Sequence, residues 1–183
     1  MLGAGAASRF GADKIAAPCA GLPLGQWALD AALATGLGVI WLTRDSPPAF
    51  AKGRCEIRHN PRAAEGMGSS VALAAALAEQ RGASGVLIML ADMPLVAPAL
   101  LERLIAAGAP AACRYPGGHA GVPTLLPAAC FPALQVLNGQ QGAGPILRNL
   151  PGLTLLDCPA DELIDVDRPA DLARAEHLLS ARQ

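Results

Sequence analysis

Val86-Leu-Ile-Met-Leu-Ala-Asp-Met-Pro94 is the stretch from which the fold can be read. Residues 86–91 are apolar without a break, so neither face is polar, as in a parallel strand covered by helices on both sides. Asp92 and Pro94 close the run. Working outward, residues 38–43 (GVIWLT) form a second short apolar run between turn signals, and residues 55–59 a thinner third. Residues 24–35 place Leu24, Trp27, Ala28 and Ala31 at helical spacing, and the Ala- and Leu-rich residues 69–80 read as helix. Further helices fit residues 98–107, 142–150 and 169–181. Strands alternating with helices predict an α/β fold with a mostly parallel sheet. Only Met1 and Leu2 precede the first glycine-rich turn, so the expectation is a first strand that is nearly absent or is supplied by residues upstream.

The composition narrows the function classes. The chain has 183 residues, 52% hydrophobic and 16% charged, with 20 Gly, 16 Pro and a net charge of −1. That length predicts one domain spanning residues 1–183, and a chain of this size buries roughly 70% of its unfolded surface. Disorder is excluded by the high apolar content and low net charge. With 14 Lys+Arg against 15 Asp+Glu there is no basic excess for a nucleic-acid backbone. Mean hydropathy is +0.36, yet the longest uncharged stretch, residues 115–147, contains Pro116, Pro123, Pro127, Pro132 and Pro145. That is too many prolines for a bilayer helix of ~20 residues. No basic, apolar, small-residue signal opens the chain, so no membrane partner is expected. Five cysteines, odd in number and without a CxxC pair, fit free thiols in a reducing cytoplasm rather than a disulfide framework or zinc site.

Four segments carry candidate chemistry. Gly3-Ala-Gly-Ala-Ala-Ser-Arg-Phe-Gly-Ala-Asp-Lys14 combines glycines at 3, 5 and 11, which permit close backbone approach, with Ser8 and the cations Arg9 and Lys14. This suits a triphosphate or departing pyrophosphate; the plain alternative is a tight turn with two solvated cations. It lacks the GxxxxGK[ST] of a Walker loop and the third glycine of the dinucleotide fingerprint. Asp92 follows the strongest strand, where ligands of open α/β sheets bind, and a carboxylate there can hold Mg²⁺; otherwise it turns the chain before Pro94. Asn60-Pro-Arg-Ala-Ala-Glu-Gly-Met-Gly-Ser-Ser70 leads from a strand into a helix, with Ser69 or Ser70 as a helix cap or the exposed N–H groups as a base or anion site. Ile164-Asp-Val-Asp-Arg-Pro-Ala-Asp-Leu172 starts the last helix, with Asp171 near its positive end, and offers Asp165 or Asp167 as a second metal ligand. His59, His119 and His177 are not at ligand spacing, and no GxSxG occurs.

With these elements in this order, the chain resembles the MobA-like NTP transferase family, and within it the molybdenum cofactor cytidylyltransferases. The likeness runs over essentially the whole chain. The first loop is similar to LAAGxSxRxGxxK, residues 60–70 to NPxxxxGMxSS, Ala91–Pro94 to ADMP and Asp165–Leu172 to DxDxPxDL. Alanine at position 4, where guanylyl enzymes of the group tend to glycine, and the GMGSS segment both resemble the cytidylyl branch. Three departures stand out. Gly121-Val122-Pro123 replaces GHP; Gly139-Gln-Gln-Gly-Ala-Gly144 replaces GDxGAR, so Gln140 stands for an acid and Gly144 for an arginine; and the first strand is cut short.

The resemblance implies a three-layer α/β/α, Rossmann-like fold of the nucleotide-diphospho-sugar transferase type. It implies an enzyme that moves a nucleoside monophosphate, CMP from CTP, onto a phosphorylated acceptor such as molybdopterin, releasing pyrophosphate. By the same resemblance Arg9 and Lys14 are catalytic. Leu2, Gly3, Ala4, Gly5, Ser8, Asn60, Gly66, Met67, Gly68, Ser69 and Ser70 bind nucleotide. Asp92 and Asp167 hold Mg²⁺, and Gly121, Pro123 and Gln140 face the acceptor. The alternatives are the same chemistry on methylerythritol phosphate or a sugar phosphate, and a degenerate relative that binds nucleotide without turnover, which Gln140, Gly144 and the short start motivate. A dinucleotide oxidoreductase fits the imperfect glycine pattern poorly.

Overall fold

The structure, a computed structural model, describes residues 1–3 and 14–182. A small antiparallel hairpin, β1 (Pro18–Cys19) and β2 (Leu22–Pro23), precedes α1 (Leu24–Ala34). β3 (Ile40–Thr43) and β4 (Glu56–His59) are parallel neighbours, and α2 (Met67–Gln80) leads to β5 (Gly85–Ile88). Then come α3 (Pro98–Ala107), β6 (Ala111–Arg114), β7 (Ala120–Pro127), α4 (Phe131–Gln135), α5 (Gly144–Arg148), β8 (Thr154–Asp157) and α6 (Pro169–Ser180). β5, β7, β6 and β8 form one sheet in that order.

Residues 1–3 join the two halves. Leu2 bridges in parallel to Leu42 beyond one edge and to Leu90 beyond the other. Its N–H donates to Met89 O at 2.8 Å and its carbonyl accepts from Ala91 N at 3.1 Å. On the other side Gly3 N donates to Leu42 O at 2.9 Å, and Leu42 N to Met1 O at 3.0 Å. The strand order is therefore β4–β3–(1–3)–β5–β7–β6–β8. The expected first strand is present as these few residues, at the centre of the sheet.

Strand alternation sends successive side chains to opposite helical layers. Met1, Trp41, Met89, Ala111 and Cys113 pack with Ala28, Leu29 and Ala32 of α1 and Leu100, Leu101 and Leu104 of α3. Leu2, Leu42, Ile88, Ala112 and Leu126 pack with Val71 and Ala75 of α2 and with Phe131, Leu134 and Leu147. With so few aromatics, alanines let the helices lie close to the sheet; the edge contact of Trp41 with Phe50, centroids 5.5 Å apart, adds about 0.5–1.5 kcal/mol beyond its area. A third cluster closes α6 onto Cys19, Leu24 and Leu95. This is the three-layer α/β/α arrangement that the family resemblance implies.

β7 is the strand that the sequence hides. Gly121, Pro123 and Pro127 interrupt it, and proline is normally barred from central strands. The ladder accommodates it through an irregularity. Ala112 pairs with Thr124 and Cys113 with Gly121, which leaves Val122 and Pro123 unopposed. β7 runs antiparallel to both neighbours, whereas the other ladders of this sheet order are parallel. The expected helix over 142–150 shrinks to α5, and the 86–91 run ends its ladder with β7 at Ile88 before continuing against residues 1–3. The five cysteines are free, as expected, and burial pushes the Cys19 thiol up to about 11. Among the described residues no helix is long and apolar enough to cross a membrane.

Candidate active site

Strand direction decides which loops meet. β3, β4, residues 1–3, β5, β6 and β8 share one direction, and β7 opposes it. Gly3, Asn60, Asp92 and Tyr115 therefore lie at the carboxyl edge, together with the N-terminal end of β7 at Ala120–Gly121. This is where open α/β sheets bind ligands.

Lys14, Asp92 and Asp167 come together there from three distant parts of the chain. Lys14 Nζ donates to Asp92 Oδ2 at 2.7 Å and to Asp167 Oδ1 at 3.1 Å. One backbone bond explains how the far end of the chain reaches this point: Val166 N donates to Asp92 O at 3.0 Å, with the Val166 side chain fully buried. That anchor sets Asp165 and Asp167 on either side of it. α6 then begins with Asp171 Oδ2 accepting from the N–H groups of Arg168 at 2.8 Å and Asp167 at 3.2 Å, so Asp171 caps the helix as its position implied.

Among the described residues the electrostatics are those of a crowded acidic site with Lys14 as its cation. Burial works against the Lys14 charge, but Asp92 and Asp167 outweigh it and hold the ammonium above its usual range. Asp165 keeps solvent-exposed surface, yet desolvation, then the charges of Asp92 and Asp167, push its carboxyl up to about 7 against the pull of Lys14. Asp92 Oδ1 is buried and, among the described residues, has no hydrogen-bond partner. A buried carboxylate oxygen without a donor is costly unless something positive completes it. Carboxylate oxygens are the donors that Mg²⁺ or Mn²⁺ prefers, so the residues fit a divalent cation. Among the described residues no group of three or more His, Cys, Asp or Glu is already arranged as a ligand cage, and Lys14 supplies the positive charge between Asp92 and Asp167.

Tyr115 is the residue at this edge that sequence reasoning missed. Its hydroxyl donates to Val122 O at 2.7 Å and its ring stacks on His119, with centroids 5.4 Å apart. Burial, then Asp165, keeps its phenol protonated far above its ordinary range. A Cβ at Gly121 would lie 2.5 Å from the Tyr115 ring, so this glycine seats the tyrosine against the Gly121–Pro123 segment. No motif marks Tyr115. Its place follows from β6 ending at the same carboxyl edge as Asp92, across β7, which only the sheet order reveals.

The 60–70 segment does different work in this structure. Asn60 Nδ2 donates to Ser69 Oγ at 3.0 Å and Ser70 Oγ at 2.9 Å, while its Oδ1 accepts from Arg62 N at 3.0 Å. Ser69 Oγ in turn donates to Arg62 O at 2.7 Å or Gly66 O at 2.8 Å. All three polar side chains are buried. Gly66 has φ +117°, and a Cβ there would fall on the Gly139 carbonyl; a Cβ at Gly68 would fall on the Asn138 carbonyl. Gly68 N donates to Gly139 O at 3.0 Å. These glycines thus serve the docking of the 138–140 segment onto α2, and bring exposed Gln140 beside the 60–70 loop. Met67 is 41% exposed and covers Gly142. Gly3 is required sterically, since a Cβ would meet the Trp41 indole at 2.5 Å. Leu2 is a buried sheet residue, and Ala4, Gly5, Ser8 and Arg9 lie outside the described residues.

A model of the MobA-like NTP transferase domain matches residues 1–154. The chain belongs to the MobA-like NTP transferase family. It is a nucleotidyltransferase by that membership, and the family's substrates are an NTP and a phosphorylated acceptor. The purine catabolism protein PucB of Bacillus subtilis (strain 168) is 28% identical over 198 residues, covering 98% of this chain and 96% of that protein. Rv0371c of Mycobacterium tuberculosis H37Rv is 26% identical with a TM-score of 0.77, over 96% of this chain and 94% of that one. A manganese complex of Rv0371c is 25% identical with a TM-score of 0.73, over 96% and 95%. Molybdopterin-guanine dinucleotide biosynthesis protein A of Archaeoglobus fulgidus shares the fold at 20% identity and a TM-score of 0.67, over 98% and 97%.

Proposed function

We propose that residues 1–183 act as one cytoplasmic domain that transfers CMP from CTP onto a phosphorylated acceptor, a pterin phosphate of the molybdopterin type. The observation that carries this reading is the Lys14–Asp92–Asp167 cluster, with Asp92 Oδ1 unpartnered among the described residues at the sheet's carboxyl edge. In the transfer, an oxygen of the acceptor phosphate attacks the α-phosphorus in line. The bond from that phosphorus to the bridging oxygen breaks, and pyrophosphate leaves with the electron pair. Nothing in this step needs a covalent enzyme intermediate, so the protein contributes position and charge.

Lys14, with Arg9, neutralises the triphosphate and the departing pyrophosphate. Asp92 and Asp167 would hold Mg²⁺, which when bound neutralises charge on phosphate oxygens. A manganese complex of a relative, Rv0371c, supports a divalent ion in this role. The 60–70 segment offers the nucleotide its backbone, because the Asn60, Ser69 and Ser70 side chains are already engaged within the fold, and Leu2, Gly3, Ala4, Gly5 and Ser8 complete the nucleotide-binding set. Gly121 and Pro123, beside Tyr115, and Gln140 on the 138–140 segment border the acceptor. The test is pyrophosphate release with CTP, GTP and ATP in Mg²⁺, with molybdopterin, methylerythritol phosphate and a sugar phosphate as acceptors. Release with CTP and molybdopterin is expected. Release with another pair reassigns the substrates, and nucleotide binding without release under any acceptor identifies a non-catalytic binder.

A further inference from the structure

β6 and β8 lie side by side at one end of the sheet, and each brings a cysteine to the same point. Cys113 pairs with Leu156 in their parallel ladder, which ends one residue later at Arg114 and Asp157. Cys158 comes next. It stands two residues after Leu156, so strand alternation puts it on the same face of the sheet as Cys113. Its Sγ turns back and donates to Leu156 O at 3.2 Å, against the residue directly opposite Cys113. Both side chains pack in one apolar cluster, and the two thiols interact directly.

The other three thiols are elsewhere. Cys19 and Cys130 belong to the other two clusters, and Cys55 immediately precedes β4, at the opposite edge of the sheet. Within the pair the two cysteines differ: Cys113 is fully buried, whereas Cys158 is half-buried. Burial, then the neighbouring Cys158, pushes the Cys113 thiol far above its ordinary range, with the Arg103 cation pulling the other way. Arg103 is held nearby by donating to Asp157 O at 3.0 Å. A thiol so placed is inert toward solutes, yet it is positioned to attack a sulfur carried by Cys158. A disulfide needs Cβ atoms about 3.8 Å apart. Cys158 lies beyond the last ladder pair, so it can close that gap without breaking the β6–β8 register.

We propose that Cys113 and Cys158 are a reversible oxidation site, a thiol pair that becomes a disulfide by exchange with small soluble disulfides. Cys158 loses its proton to water and its thiolate attacks one sulfur of the small disulfide. That S–S bond breaks, and one small thiol leaves as its thiolate and takes up a proton. Cys113 then gives up its proton and attacks Cys158 Sγ. The Cys113–Cys158 bond forms, and the second small thiol leaves with the electron pair and a proton. The two protein thiols are oxidised and the small disulfide is reduced to two thiols. The bridge ties the strand that enters Tyr115 to the segment that carries on to Asp165 and Asp167, and it closes the long loop 113–158, which restricts the unfolded chain.

The experiment treats the reduced full chain, without denaturant, with glutathione disulfide and follows intact mass, peptide map and Tm. The expected product has lost two hydrogen atoms, carries no glutathione and links Cys113 to Cys158, and its Tm is higher by about 5 °C or more. Excess reduced glutathione is expected to return both thiols and the starting Tm. Cys113→Ala should stop at a glutathione adduct on Cys158, because the second thiol is missing. Cys158→Ala, at the half-buried position, should leave Cys113 reduced. A wild-type chain that stays reduced or stops at the adduct, a bridge between any other pair, a bridge that forms only in denaturant, or a bridged chain with an unraised Tm would overturn the proposal. None of these readouts depends on nucleotidyl transfer.

Discussion

Two polar clusters sit at the same edge of the sheet and differ in burial, charge and hydrogen-bond satisfaction. The Asn60–Ser69–Ser70 knot is buried and satisfied, each side chain bonded to another part of the same loop. The Lys14–Asp92–Asp167 cluster is partly exposed, crowded with like charge, and among the described residues leaves Asp92 Oδ1 without a donor. A satisfied network stabilises a fold and has nothing left to offer a ligand. An unsatisfied one costs stability and is tolerated where chemistry uses it. Motif likeness alone assigns functional roles to both clusters; the hydrogen bonds separate the one that is satisfied within the fold from the one proposed to act.

Breaking the open cluster should give the largest effect. Lys14→Ala is expected to lower pyrophosphate release per folded molecule by ~10²-fold, measured at matched folded fraction. If the loss appears in folding and not in rate, Lys14 belongs with the satisfied knot instead. Breaking the knot should be read in stability. Asn60→Ala removes two donors' bonds and one acceptor's in a buried setting, and a fall in Tm of roughly 5–10 °C is expected in thermal denaturation. An unchanged Tm would mean that these bonds are not structural.

Asp165 sharpens the contrast through pH. Its carboxyl titrates at about 7 in the folded chain against an ordinary 3.8, so the native state holds the extra proton between those values. The cost of ionising it therefore grows as pH rises from about 4 and is complete above about 7. In chelator, the Tm advantage of Asp165→Asn over wild type is expected to widen from pH 5 to pH 8; a constant difference would contradict the crowding. The smallest effect is expected at Gly144, where an added Cβ meets nothing within 4 Å. Gly144→Arg should change Tm by no more than roughly 1–2 °C. A larger fall would show that the glycine is there for packing.

Much of this architecture was legible in local pattern. The apolar runs at 38–43 and 86–91 and the helical spacing of Leu24, Trp27, Ala28 and Ala31 report what each element buries, which is a local property. β7 was not legible, because Gly121 and Pro123 look like loop residues until the ladder's irregularity accommodates them. Asp92 was visible because it ends the strongest strand. The proximity of Asp165 and Asp167 to it depends on one long-range backbone bond, Val166 to Asp92. Tyr115 depends on sheet order in the same way. The roles of Gly66 and Gly68 in docking 138–140 likewise needed the third dimension.

The most direct measurement is Mg²⁺-dependent pyrophosphate release from CTP with a phosphorylated acceptor, run on wild type and Asp92→Asn beside their melting curves. Loss of ~10³-fold in rate with a Tm within a few degrees of wild type is the expected result. Full turnover by a folded Asp92→Asn chain would contradict the assignment of chemistry to this cluster.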